Sequence, residues 1–240
     1  MEVTLAAERI AQIGSLPITN TVLTTWLVTA VLIAFAYFAT KKVALIPSGL
    51  QNIAEFMIET FQDLVTSIAG DKSKVFLPIV GSFFFFILFG NYLGLLPGIG
   101  TIGFYRDHTF IPLLRSMNSD LNTTAALAIV SLIATHFLAI KYLGLGGYIG
   151  KFLSLNPIFL FVGLLEIIGE ATKILSLSFR LFGNIFAGEV LLTTASTKLF
   201  AFFIPIPFYF LEILVGFVQA LIFSMLTLVF MVILTQKSAH

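Results

Sequence analysis

Cysteine is absent from these 240 residues, so disulfides, thiolate metal sites and cysteine nucleophiles are excluded. Charge is scarce. Thirteen Lys and Arg face 12 Asp and Glu, a net of +1 and only 10% of the chain. A balance so near neutral gives no sign of a nucleic-acid partner, and none is expected. Histidine occurs three times, at His108, His136 and His240, too scattered for a zinc cluster, so no metal is expected. There is no phosphate-binding Gly-x-x-x-x-Gly-Lys loop and no His-Glu-x-x-His helix, so neither ATP binding through that loop nor zinc proteolysis is encoded. No organic cofactor is expected, and internal repeats and low-complexity segments are missing as well.

What is present is apolar sequence. Hydrophobic residues make up 58% of the chain and the mean hydropathy is +1.05. Runs long enough to cross a bilayer, which takes roughly 20 residues of helix, recur along it. The expected fold is an all-α integral membrane protein forming one membrane domain over 1–240. Its five transmembrane spans are expected at about 19–40, 75–96, 121–143, 157–196 and 203–235. Residues 97–120, rich in Gly and Pro and containing Arg106, Asp107 and Arg115, read as a loop. A Gly-rich connection, Gly144 to Gly150, follows the third span.

The segment 47–70 has another pattern. Leu50, Ile53, Ala54, Met57, Phe61, Leu64, Val65 and Ile68 recur at helical spacing, with Glu55, Glu59 and Asp63 on the opposite face. It is expected as an amphipathic helix on the cytoplasmic surface, opened by a capping box of Ser48 and Gln51. Its acidic polar face differs from the basic face usual for lipid-surface helices and suits docking against protein. With five spans, Lys41, Lys42, Lys72, Lys74, Lys141, Lys151 and Lys237 fall on one side. Arg9, Arg106, Arg115 and Lys198 fall on the other. The richer side is expected to be cytoplasmic, which puts the N-terminus outside and the C-terminus inside. Residues 1–18 show no transit or cleavable signal pattern, so the inner membrane of a bacterium is expected ahead of a plastid thylakoid.

The last two apolar stretches contain charges at membrane depth: Glu166, Glu170, Lys173, Arg180, Glu189 and Glu212. Such groups cost several kcal/mol to insert and are functional candidates by default. Glu166, Lys173, Ser176, Arg180 and Asn184 fall within roughly 40° of one line down a helix. Two readings stand for Glu166, Glu170 and Lys173: functional charges at membrane depth, or interfacial side chains snorkelling to the cytoplasm. Glu189, nine residues past Arg180, points the other way.

As a helix, the first stretch is roughly 58 Å long, nearly twice the hydrocarbon thickness of about 30 Å, so it must tilt, break or protrude. The two stretches are expected as a long tilted antiparallel hairpin turning near residue 200. Positions summing to about 400 then share a level. Arg180 meets Gln219 and Ala220, and Glu189 meets Glu212. No carboxylate of the hairpin lies level with Arg180, so its counter-charge must come from another subunit or a hydrated cavity. Glu189 and Glu212 either share a proton, as neighbouring like charges do, or are hydrated independently. The layout suggests two offset half-channels separated by an immobile cation.

The run Leu177-Ser178-Phe179-Arg180-Leu181-Phe182-Gly183-Asn184-Ile185-Phe186-Ala187-Gly188-Glu189 resembles the signature of subunit a of F-type ATP synthases. Asn91-Tyr92-Leu93-Gly94-Leu95-Leu96-Pro97, Asp120-Leu121-Asn122-Thr123-Thr124 and Gln219-Ala220-Leu221-Ile222-Phe223 agree with it. The resemblance implies a channel subunit without an active site of its own, working with a ring of c subunits, the b subunits of the peripheral stalk, the rest of the synthase and the lipid membrane. It implies that Arg180 faces the ring carboxylate, drives its proton release and blocks a leak between the half-channels. Asn184, Glu189, Glu212 and Gln219 match its outer path, and Glu166, Lys173 and Ser176 its cytoplasmic side. Glu212 stands where several relatives carry His, and Met117-Asn118-Ser119 departs from the usual Pro and small residues. The translocated ion is expected to be H⁺, with the choice against Na⁺ resting on the ring. The rival reading, a proton-coupled secondary transporter, predicts inverted repeats and matched broken helices. Neither is visible.

Overall fold

The structure is a computed structural model that describes residues 7–14, 16–41, 43–96, 98–106, 109–152, 157–198 and 205–236. Among the described residues are six α-helices: α1 (Asn20–Thr40), α2 (Leu50–Ala69), α3 (Ser73–Gly94), α4 (Leu121–Phe152), α5 (Pro157–Lys198) and α6 (Pro205–Leu234). Among the described residues, five helical segments are long and apolar enough to cross a membrane. In a medium without water the helix is the way to satisfy every backbone group internally. Side-chain hydroxyls follow the same rule. Thr24, Thr25 and Thr29 each donate to the carbonyl four residues back.

All the long elements are helical, as expected, but two short antiparallel ribbons must be added. Strands β1 (Arg9–Ile13) and β2 (Leu16–Thr19) form one, and β3 (Gly103–Arg106) and β4 (Thr109–Pro112) the other. The second lies inside the segment read as loop. Its aromatic and branched residues pair across the strands, Phe104 opposite Ile111 and Tyr105 opposite Phe110, the latter rings 5.4 Å apart. The expected capping box is also corrected. Gly49, at φ 59°, precedes α2 without any side-chain cap. Gln51 instead holds the preceding chain, bonding both the N–H and the carbonyl of Ala44, and donates to Glu55. A glycine is needed there because the left-handed backbone excludes a Cβ.

The third long helix also differs from the pattern read in sequence. α4 runs on past residue 143 to Phe152, interrupted at Gly144, which adopts φ 72° and ψ 163°. The Gly-rich stretch is thus a kink with helix on both sides, not a loop. Asp120 organises the start of α4. Its Oδ1 accepts from the N–H and side-chain amide of Asn122, and its Oδ2 accepts from Thr21 Oγ1 of α1. Two helix beginnings are thereby held together by one carboxylate.

The core is built from facing apolar stripes of α2 through α6. Phe61 stacks on Phe84 at 4.6 Å, and Phe76, Val80, Ile87, Leu181, Ala220, Leu228 and Met231 are buried among them. Several buried polar groups inside the bundle are paired. Ser131 meets Thr227 at 2.8 Å, and Asn118 donates to Asn91, which donates to the Gly216 carbonyl. Between α5 and α6 the contacts join Lys173 to Phe230 and Gly188 to Glu212. α5, at 42 residues, is about 63 Å long.

Candidate ion-translocation site

Arg180 lies on the exposed face of α5, with Ser176 and Asn184 one turn to either side, also exposed. Its Nη2 donates to Ser176 Oγ at 3.2 Å, the pairing that i, i+4 spacing allows on a helix. Among the described residues no carboxylate forms an ion pair with it. Nearby on α5, Leu175, Phe179 and Leu191 are also exposed. A guanidinium thus stands on an apolar, uncovered surface with only a serine hydroxyl beside it.

On the other face of α5, towards the end where β3 and β4 lie, is a cavity of about 320 Å³. Glu189 and Glu212 both line it, with Asn91, Arg115, Tyr209 and Glu8. The two carboxylates are not paired with each other. Glu189 accepts from Arg115 Nε through Oε1 at 3.0 Å and Oε2 at 3.2 Å. Glu212 is 4% exposed and folds against Gly188, where any Cβ would overlap its carboxylate. The structure adds a loop cation to the glutamate pair read from sequence: Arg115 holds Glu189, while Glu212 lies buried beside the same cavity. Asn184 and Gln219 lie outside this cavity, Asn184 on the exposed face and Gln219 buried in α6.

Arg115 was legible only as a loop charge. The signal that points to it is electrostatic: a carboxylate at Glu189's depth needs a cation, and this side of the chain has few. Its backbone N–H bonds Thr24 Oγ1 of α1, which fixes where the side chain starts. Its guanidinium lies over the Phe186 ring at 5.9 Å. Glu8 joins the same cavity, and burial pushes its carboxyl above the ordinary range. Arg115 draws it down, and Glu189 pushes it up again.

At the lysine-rich end a second polar group gathers. Glu170, 7% exposed, accepts from Lys173 Nζ at 2.7 Å, and Lys173 Nζ lies 4.7 Å from the centre of the Phe230 ring. His136 Nε2 of α4 stands 3.7 Å from Glu170 Oε2, and His136 Nδ1 is 2.9 Å from the Tyr148 hydroxyl. Glu166 is half-buried one turn before Glu170. Glu170 is therefore no freely snorkelling side chain: it is the centre of an inter-helix cluster. Ser176 lies between this cluster and Arg180. Among the described residues no group of His, Cys, Asp or Glu is placed to hold a metal ion.

A membrane bundle with a bare cation between two polar groups at opposite ends defines a class: polytopic proteins that handle ions within the bilayer. Comparison with known proteins narrows it. The profile of the ATP synthase A chain family matches residues 22–232. Subunit a of the ATP synthase of Moorella thermoacetica is 36% identical over 221 residues, 92% of this chain and 93% of that protein. That of Syntrophobacter fumaroxidans is 36% identical over 210 residues, 86% and 80% of the two chains. ATP synthase subunit a 2 of a Bradyrhizobium species is 33% identical over 226 residues, 94% and 93%. The chain belongs to the family of subunit a of F-type ATP synthases. It is a multi-pass membrane protein of the membrane sector, and the secondary-transporter reading falls.

Proposed function

We propose that this chain translocates protons as the stator of a rotary motor, offering two offset half-channels to the carboxylates of a c-subunit ring, with Arg180 between them. The observation that carries the reading is Arg180 itself: exposed on α5, bonded to Ser176, and without an ion pair among the described residues. A cation so placed in lipid demands a mobile anion on a neighbouring protein. Electrostatic attraction favours the ionised form of a ring carboxylate as it passes, so a proton is released on approach and regained beyond. The same cation keeps protons from crossing directly.

The cavity of Glu189 and Glu212 serves the outer half-channel, with Asn184 and Gln219 completing the way to the ring. Glu166, Lys173 and Ser176 serve the cytoplasmic side, joined by Glu170. The lysine bias places the cluster end in the cytoplasm, the N-terminus outside and the C-terminus inside, in a bacterial plasma membrane. α5 and α6 form the tilted hairpin laid against the ring, since a helix of about 63 Å outruns the bilayer unless it leans. α2 lies at the cytoplasmic surface, its acidic face available to the b subunits. All of this belongs to one membrane domain. ATP chemistry belongs to the soluble head, and the ring sets the choice of H⁺ over Na⁺.

The test is Arg180→Ala in the assembled complex. ATP-driven proton pumping by inverted vesicles is expected to vanish while the head still hydrolyses ATP. Pumping at the wild-type rate would remove the assigned role.

A further inference from the structure

Twelve residues of straight helix would separate His136 from Tyr148 by about 18 Å. Their polar atoms are instead 2.9 Å apart and their rings meet edge to face at 5.9 Å. The kink at Gly144 folds the end of α4 back to bring this about. The returned segment, within which Tyr148 packs on Phe152 at 5.2 Å, is held by two further contacts. Lys151 Nζ donates to the Ile233 carbonyl of α6, and Gly163 of α5 sits so close to Phe152 that a Cβ would strike its carbonyl. The fold thus spends a kink and several contacts on placing one phenol against one imidazole.

The other edge of that imidazole faces a carboxylate. Glu170 Oε1 is satisfied by Lys173, whereas Oε2 is buried with no hydrogen-bond partner among the described residues. His136 Nε2 is 3.7 Å from Oε2, a gap that a small side-chain shift closes. Imidazole is the side chain whose ordinary pKa lies nearest neutrality, and its two nitrogens can take a proton on one edge and lose it from the other.

We propose that His136 exchanges protons with Glu170 at the cytoplasmic end of the path, with Tyr148 as its positioning residue; this rests on the reading of the chain as a proton-translocating subunit. The transfer balances simply. A protonated Glu170 passes the proton from Oε2 to Nε2 of a neutral His136 whose Nδ1–H donates to the Tyr148 oxygen. This leaves a Glu170 carboxylate held by Lys173 and an imidazolium. The imidazolium then gives its Nε2 proton to water entering from the cytoplasm, which restores the neutral ring with Nδ1–H still on the Tyr148 oxygen. In ATP-driven pumping the steps run backwards. The groups facing His136 are Glu170 and Lys173 of α5 and Tyr148 beyond the kink, with Glu166 one turn further along α5. α6 adds the uncharged Phe230 ring under Lys173.

The experiment uses inverted vesicles carrying the whole complex, stripped of the soluble head. Passive proton conductance is read against pH on the cytoplasmic side. His136→Gln is expected to lower the rate roughly tenfold or more, the scale of a lost acid–base group, and to flatten its dependence between about pH 6 and 8. His136→Ala is expected to recover part of the rate in added imidazole, which a purely structural role would not produce. Tyr148→Phe is expected to shift the midpoint of the pH profile with a smaller loss of rate. Wild-type rate and profile in assembled His136→Gln would overturn the proposal. Were that variant not to assemble, an unaltered profile in Tyr148→Phe would overturn it alone. Arg180→Ala, read for ATP-driven pumping in vesicles that keep the soluble head, separates the failures. If Arg180→Ala does not pump and the His136 variants conduct normally, only this inference falls. If Arg180→Ala pumps, the subunit reading falls first.

Discussion

Arg115 and Glu189, 74 residues apart, meet through one guanidinium nitrogen and both carboxylate oxygens, at 3.0 and 3.2 Å. The arginine side chain is 6% exposed and the glutamate 26%. A loop charge therefore sits inside the bundle, and a helix charge that looks isolated in sequence has a partner. Removing one member leaves the other poorly solvated. Arg115→Gln is expected to cost about 1–3 kcal/mol, less than a fully buried pair because water reaches Glu189. The double variant Arg115→Gln with Glu189→Gln should recover much of that loss. Thermal unfolding of the purified complex in detergent measures both, and a double variant no better than the single would refute the pairing as the cause. On the proposed path, Glu189→Gln should in addition slow passive proton conduction roughly tenfold or more.

Gly188 leaves room for the Glu212 carboxylate, and Gly183, on the same helix, has open space around it. Gly188→Ala is expected to displace Glu212 and destabilise the chain by about 1–3 kcal/mol, the range for overpacked interiors. Gly183→Ala should leave the stability of the isolated chain unchanged or slightly raised, since alanine favours helix. The melting temperatures of the two purified variants give the comparison. Equal shifts would show that the close approach of α5 and α6 at Glu212 does not matter.

Glu8 supplies a pH test outside the spans. Its folded carboxyl is raised above the ordinary 4.5, chiefly by burial, with Arg115 opposing and Glu189 reinforcing the shift. The folded chain therefore holds the proton to a higher pH than the unfolded chain does. Stability contributed by the neutral form is complete below 4.5 and is lost as pH rises through the folded value. Glu8→Gln removes that loss. Melting temperature followed from pH 4.5 upward should fall less steeply in the variant, and parallel curves would contradict the assignment.

Asn91 joins three elements, accepting from Asn118 at 2.7 Å and donating to the Gly216 carbonyl at 2.9 Å. Asn91→Ala strands a buried amide and a buried carbonyl at once, so a loss of about 2–4 kcal/mol is expected. Asn91→Asp keeps the acceptor, loses the donor and adds a charge facing the Gly216 carbonyl, and should be at least as harmful. Urea or thermal unfolding in detergent tests the order.

Much of this architecture can be read from single residues in line. The long helices follow from uninterrupted apolar runs, and α6 begins at Pro205, where proline suits the first helical turn. Arg180 stands out because a charge within forty apolar residues is costly wherever the chain folds. The exposed position of Ser176, Arg180 and Asn184 follows their angular spacing. Other features escape such reading. Ser48 and Gln51 have the spacing of a capping box, yet Gln51 turns to Ala44 because the chain enters α2 through Gly49 with a left-handed turn. Gly144 to Gly150 looks like a loop, yet one glycine kinks while the rest stay helical.

Hydropathy, helical angle and the cost of a buried charge are local properties, so the amino-acid order alone determines five long apolar helices and a cation stranded on one of them. Which charges meet is a property of the closed bundle. Arg115 reaches Glu189 and Thr21 reaches Asp120 only after distant parts of the chain have packed, and Tyr148 reaches His136 only once α4 has kinked at Gly144. Those pairings depend on a loop's path and a kink's direction, and neither follows from residue type until side-chain packing selects one arrangement.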